Sequence, residues 1–497
     1  MGLATTRLKI GWAEVDLTPA GPVLLDGQFY ARISEEVMDP ITATAWALEA
    51  DGDHAVFVSC DFIDISSELL DAVRARLHGQ LEDLNPHKVI LNATHTHSGP
   101  AITTTNSEIA HTDMDLASLG IDTMAVSEYV AYAADRIADT VCKAWTSRAE
   151  GGIAYGQGYA VTGRNRRWID REGRATMYGL DAMSRDSFRH IEGYEDHSVN
   201  VVAAYDSEEN LTGLIVNVAN PSQSSEHEYA ISADYWHETR LELRKRFGPK
   251  LFILPQCSAA GDLSPHVLID KEANDRMLKL KNRTLRQEIA YRLATEIEDM
   301  LPHIAKSIDT MPTLRHQVGT VNLPVYRLTE ADALSSKADA KAAQAWYESE
   351  LGRLEAHPEI RNSPRWYFDV TNAFGQMNWH SNVVRRFERQ KSGDGLTVPV
   401  GLHAIRLGEL AFVTHPFEYY VDYGIQIKVR SPAAQTFLIQ LTRASTYLPS
   451  PRSVKGGSYG SVPGSYQVGP EGGQQLAEYT INVIQGLWQT TDPAEST

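Results

Sequence analysis

His95 and His97 stand two apart in Asn92-Ala93-Thr94-His95-Thr96-His97-Ser98-Gly99-Pro100, directly after the apolar run Val89-Ile90-Leu91. In extended backbone, residues two apart project to one side, so the pair would present its imidazoles together. Each neutral imidazole offers a nitrogen lone pair, and two of them at a strand end make half of a metal site. Two hydrogen-bonded histidines in a polar loop would use the same residues. Downstream, Asp234, His237 and Glu238 have the spacing of one helix face, with Ser232 as the expected cap. Gln256 to His266 is rich in small residues that admit a ligand close to the backbone, and it carries Ser264. Arg164-Asn165-Arg166-Arg167-Trp168 sets guanidinium groups beside an aromatic ring, which suits a carboxylate or polar substrate as well as a solvated basic loop. Glu418 follows His415-Pro416-Phe417 and is expected to begin a helix whose dipole favours its ionised form.

The elements that must position these groups alternate. Strands are expected at 41–48, 55–60 and 89–91, with a helix between the last two capped by Ser66 or Ser67 and facing Leu69, Leu70, Val73 and Leu77 inward. His95 and His97 then lie past the carboxyl end of a strand, where open α/β sheets bind ligands, and Asp61 follows the neighbouring strand. Residues 102–123 read as a long functional loop, and Val126, Val130, Ala133, Ile137, Val141 and Ala144 mark an amphipathic helix. Further strands fall at 152–159, 198–205, 214–219, 251–254, 411–414 and 436–440. Helices follow at 285–297 and 473–487, and 329–389 changes to a helical composition, an expected hairpin or insertion. The fold class expected is α/β, a large mixed sheet with flanking helices.

The 497 residues carry a formal charge of −18, which argues against nucleic acid or an anionic membrane as partner. Cys60, Cys142 and Cys257 are far apart and odd in number, so neither a disulfide framework nor a cysteine zinc site is expected. No apolar run approaches the length of a membrane span, and the N-terminus lacks a long apolar leader. An intracellular, cytoplasmic protein is the expectation.

Five strings occur in order along the chain. They are Gly11-Trp12-Ala13-Glu14-Val15-Asp16-Leu17-Thr18-Pro19, Thr94-His95-Thr96-His97-Ser98-Gly99-Pro100, Gly261-Asp262-Leu263-Ser264-Pro265, Pro416-Phe417-Glu418 and Tyr447-Leu448-Pro449. Together, over about residues 10–487, they resemble the catalytic N-terminal domain of the neutral/alkaline (non-lysosomal) ceramidases. The resemblance implies an α/β domain that hydrolyses an amide with one zinc ion held by two His, a Glu and a Tyr. Carried over by residue, it implies His95, Glu418 and Tyr447 as ligands and His97 as acceptor of a proton from the bound water. It further implies catalytic parts for Ser264, Arg166 and Tyr459. The family's second zinc His falls where this chain has Asn220, and an amide is a poor replacement for imidazole. His237 is the preferred substitute, oriented by Asp234 and Glu238, with His227, His266 and His415 as others.

This reading expects one catalytic domain over 1–490, with a helical insertion at about 329–390 and a disordered tail at 491–497. Its function would be zinc-dependent, or other divalent-metal-dependent, cleavage of an amide (N-acyl) bond in a small-molecule or lipid-like substrate. The substrate expected is ceramide-like or a smaller soluble amide. A carbohydrate-active enzyme, a glycan lyase or glycoside hydrolase, is the rival. It would use Trp168, Trp236, Trp366 and Trp379 for stacking and Arg166, Tyr459 and His97 for chemistry. A non-catalytic binding protein is the third reading, suggested by Asn220.

Overall fold

Two sheets face each other across an apolar core, and helices cover both outer faces. The computed structural model describes residues 6–103, 114–181, 183–444 and 446–489. The expected tail, and residues 104–113 of the expected long loop, lie outside these residues. In spatial order the larger sheet runs Phe252–Cys257, Leu211–Val218, Ser198–Asp206, Ala149–Tyr159, Lys9–Asp16, Thr42–Ala50, Asp53–Cys60 and Val89–Ala93. The smaller runs Leu314–Pro324, Thr397–Leu407, Leu410–Thr414 and Gln435–Ile439. Leu48, Trp46, Phe57 and Leu254 of the first sheet meet Ile405, Leu407, Phe412 and Phe437 of the second. Strands buried on both faces read as continuous apolar runs, which is why Ala55 to Cys60 shows no alternation.

The outer faces are covered by amphipathic helices. Helices Ser67–Leu77 and Val126–Thr146 cover one half of the large sheet, and Tyr235–Phe247 and Leu285–Ile304 the other. Helices Val421–Arg430 and Pro470–Trp488 cover the small sheet. Ser66 caps its helix by accepting from the Leu69 N–H, as the sequence predicts. Helices Glu330–Ala356 and Phe368–Lys391 form the expected hairpin, which packs Leu354 and Val370 against Leu24, Ala31 and Ile33.

Both sheets are mostly antiparallel, with three parallel pairs. Asp53–Cys60 pairs with Val89–Ala93, Leu211–Val218 with Phe252–Cys257, and Leu410–Thr414 with Gln435–Ile439. A parallel pair needs a crossover, and each of the three carries one of the helices just named. The segments leaving these strands hold His95, His97, Ser264, Glu418 and Tyr447.

Two local expectations are corrected. Asp234, not Ser232, caps the helix Tyr235–Phe247, accepting from the Tyr235 N–H, while the Ser232 hydroxyl donates to Asp39. Glu418 begins no helix: it pairs with Tyr447 in a two-residue parallel ladder, and the helix starts at Val421. The dipole argument for its charge therefore fails. The eleven-residue strand Leu314–Pro324 and the helix Lys271–Lys281 carry little apolar periodicity and were not expected.

Candidate active site

His95 is reached by a sharp change of backbone. The strand ends at Ala93, and His95 takes φ of 64°, a left-handed conformation that costs an L-residue about 1–2 kcal/mol. Backbone hydrogen bonds from Thr94 to Cys60, from Thr96 to Phe62 and from His97 to Ser222 hold the turn. The two rings do meet, with centroids 4.9 Å apart and planes at 82°, but through this turn rather than through strand alternation.

Each imidazole has its tautomer fixed by a carbonyl. His95 Nδ1–H donates to Ile63 O at 2.6 Å, which leaves Nε2 buried, without a hydrogen-bond partner and 3.4 Å from Glu418 Oε2. Burial alone would lower the His95 pKa, but the Glu418 carboxylate and the Ile63 carbonyl raise it. His97 Nδ1–H donates to Gly27 O at 3.1 Å, and its Nε2 accepts from the Gln223 amide at 2.9 Å. Burial, then the charges of His95, Arg32 and Arg166, hold the His97 pKa well below the usual histidine value. Gly27 has φ of 101°, and a Cβ there would stand 2.5 Å from His97 Nδ1, so the ring's seat requires glycine.

Arg166 is fully buried and acts as the hub. Its Nη2 donates to Gly261 O at 2.8 Å and to Tyr447 Oη at 3.0 Å, and lies 3.9 Å from Glu418 Oε2. Its Nη1 reaches Tyr178 Oη at 3.3 Å and Gln223 Oε1 at 3.4 Å. The basic stretch is therefore not a solvated loop. Arg167 makes a buried pair with Glu192 and donates to the carbonyls of Ser453, Gly457 and Tyr459, which seats Tyr459. Asp262 ties three elements: its carboxylate accepts from Asn165 and from the Val421 N–H, and its carbonyl accepts from the Arg166 N–H.

Ser264 is buried, with Oγ 2.8 Å from His266 Nδ1 and accepting from the His266 N–H. His266 Nε2 lies 3.5 Å from Glu226 Oε1, and the other Glu226 oxygen is 3.8 Å from His97 Nδ1. Burial pushes the Glu226 carboxyl up to about 7, against the pull of Arg166 and Arg32, and burial takes His266 down to about 4. Asp64 is also pushed up to about 7 by burial and the nearby Asp26. Asp64, Glu418, Tyr447, Tyr459 and Trp379 line one cavity of about 490 Å³. The helical hairpin delivers Trp379, whose ring meets Phe29 at 5.5 Å and Tyr459 at 6.3 Å.

The structure thus brings His95, His97, Arg166, Glu418, Tyr447 and Tyr459 together, with Ser264 joined through His266 and Glu226. It does not bring His237 in. That residue is half-buried on its helix, and Asp234, expected to orient it, instead binds Ser225 and the Tyr235 N–H. Asn220 is buried with both amide atoms unpartnered, and Gln223, three residues on, is the amide that touches His97. His227 approaches Glu226, and His415 is buried with neither ring nitrogen bonded. Asp61 forms a buried pair with Arg240. Trp168 and Trp236 are core residues, and of the four tryptophans considered for stacking Trp379 lines the cavity. Among the described residues no three His, Cys, Asp or Glu side chains converge as a metal group.

Sequence reasoning missed Glu226, Gln223, Arg32 and Tyr178. Arg32 is buried and donates to the carbonyls of Asp26, His97, Glu226 and Glu228, which fixes the site's rear wall. Gln223 lay within the Asn220-Pro221-Ser222-Gln223 string, and its polar side chain after an apolar strand was the available signal.

No family model matches the sequence, and no curated protein does. Solved ceramidase structures share the fold. The neutral ceramidase from Pseudomonas aeruginosa aligns with a TM-score of 0.66 and 16% identity, over 97% of this chain and 75% of that one. A ceramidase complexed with C2 gives the same TM-score, identity and coverage. The chain has a ceramidase-like α/β fold.

Proposed function

We propose that the chain is a hydrolase that cleaves an amide (N-acyl) bond, with a divalent metal held by His95, Glu418 and Tyr447. One observation carries this reading: the buried His95 ties Nδ1–H to a carbonyl and leaves Nε2 bare, 3.4 Å from the Glu418 carboxylate. A backbone tie of this kind is how metal-binding imidazoles are oriented. A cation between Nε2 and the Glu418 carboxylate would satisfy both groups. Three protein donors with an open position suit a catalytic metal. One nitrogen and two oxygens make a harder set than the family's two imidazoles, so manganese competes with zinc here. When bound, the metal would polarise a carbonyl and lower the pKa of a water.

The chain's own groups account for the rest. Arg166 keeps a fixed positive charge beside Glu418 and Tyr447, where it would stabilise developing negative charge on a carbonyl oxygen. His97 is neutral with its proton on Nδ1, so Nε2 is the accepting atom. In the resting arrangement Gln223 occupies that lone pair, and an entering substrate or water would displace its amide. Glu226 would offset the charge of a protonated His97 from 3.8 Å. A cavity of about 490 Å³ holds one compact ligand, and Trp379 and Tyr459 give it flat aromatic walls. Those walls also favour a second reading, cleavage of a sugar chain.

Incubation with an N-acyl sphingosine analogue and with an N-acetylated amino sugar, reading free amine, tests the proposal. Amine release that stops on chelation and in His95→Ala is expected. Amine release that survives chelation would sink the metal's part, and unsaturated or new reducing ends without amine would favour the sugar-chain reading.

A further inference from the structure

A second cavity, of about 310 Å³, lies where the edge strand Val89–Ala93 meets the small sheet. Arg74, from the helix Ser67–Leu77, and Arg443, from the loop after Gln435–Ile439, both line it, together with His87 and His403. Among the described residues neither arginine forms an ion pair, although the Asp71 carboxylate lines the same cavity. Arg74 Nε is buried without a partner, and its Nη2 makes one long bond, 3.4 Å, to Val89 O. Burial and the charge of Arg443 both depress the Arg74 pKa, with Asp71 acting against them, so the two guanidinium groups repel each other here. His403 adds no charge: its Nδ1 bonds His316 Nε2 at 3.0 Å, and burial, His316 and the two arginines hold it neutral.

This arrangement is costly and unexpected by charge count. The chain has 64 acidic residues against 46 Lys and Arg, so carboxylates are in excess, yet the two arginines share this cavity with one lining carboxylate, Asp71, that forms an ion pair with neither. Like charges held together in a low-dielectric space are stabilised by a counter-ion. A guanidinium offers a planar fork of donors that matches an oxyanion. Access exists, because Arg74 and His87 also line an open depression on the surface beside His78 and Asn85. On the other side Arg443 and Gly401 line the active-site cavity as well.

We propose that this cavity binds an oxyanion, phosphate, sulfate or carboxylate, between the Arg74 and Arg443 guanidinium groups. The anion is either free or the charged substituent of a ligand whose body lies in the adjoining cavity. The inference is independent of the reaction assigned to that neighbouring site.

Isothermal titration of inorganic phosphate, sulfate and acetate into the full chain at low ionic strength tests it. One saturable site is expected for at least one anion, weakened about tenfold in each of Arg74→Gln and Arg443→Gln. No saturable binding of any of the three, or binding that both substitutions leave intact, overturns it. Arg443 sits in a half-buried loop, so its variant keeps the test alive should Arg74→Gln unfold. A sugar phosphate titrated alongside separates the sources. Tighter binding than inorganic phosphate, lost in Trp379→Ala, assigns the anion to a spanning ligand, and equal binding in both proteins assigns it to a free anion.

Discussion

Glu418 and Tyr447 are directly paired residues in a two-residue parallel ladder, so the carboxylate beside His95 and the phenol beside Arg166 are fixed relative to each other by backbone. Side chains set this way need no reorganisation when a ligand arrives. The same ladder explains why a change at either residue should act on both.

His95→Asn is expected to fold and to lose the metal. Asparagine tolerates the left-handed backbone at this position, so the melting temperature should stay within a few degrees of the parent. Elemental analysis should find stoichiometric divalent metal in the parent and at most traces in the variant. Equal metal content in both would remove His95 from the ligand set.

Arg166→Ala is expected to cost stability, about 1–3 kcal/mol for each buried partner left unsatisfied, because Gly261, Tyr447, Tyr178 and Gln223 would lose their shared donor. Arg166→Lys restores the charge but not the fork that reaches Gly261, Tyr447, Tyr178 and Gln223 together. Urea midpoints should place it between the parent and the alanine variant, with activity recovered only in part.

Gly27→Ala introduces a Cβ 2.5 Å from His97 Nδ1 at a φ of 101°. Strain of about 1–2 kcal/mol is expected in the melting curve, together with a loss of turnover far larger than that strain implies. Unchanged turnover would show that His97 does not need its present seat.

Glu226 has a pH signature. Its pKa is raised by burial from an unfolded value near 4.5 to about 7, so the folded chain binds this proton more tightly than the unfolded chain. Its contribution is therefore most favourable below about pH 4.5 and is lost as pH rises towards 7. Glu226→Gln should flatten the stability profile across that window and be more stable than the parent at pH 8, by on the order of 2 kcal/mol. Denaturation midpoints at pH 5 and pH 8 measure it, and parallel profiles for the two proteins would refute the shift.

Much of this was legible from local signals. The apolar runs Ala55 to Cys60, Val89 to Leu91 and Leu214 to Ala219 announced buried strands, and the Ser66 cap fixed a helix start, because patterning and capping act within a few residues. The resemblance supplied His95, Glu418 and Tyr447 as a group, and the structure sets His95 against Glu418. What stayed hidden depends on tertiary packing. Glu418 reads as a helix start until its ladder with Tyr447 is seen. Glu226 and Arg32 look like surface charges, since only the closed fold buries them. His237 looked eligible by spacing, but its helix face points its neighbours to other partners.

The contact between the two sheets has a consequence for assembly. His95, His97, Arg166 and Ser264 leave the large sheet and its loops, whereas Glu418, Tyr447 and Tyr459 come with the small sheet. A chain released after residue 313 would hold half of the site and an uncovered apolar face, so it would be inert as well as sticky. Joining the halves buries the apolar seam of Leu48, Trp46 and Phe57 against Ile405, Phe412 and Phe437. Catalytic competence would then appear late in folding, as a report that the last long-range contacts have formed.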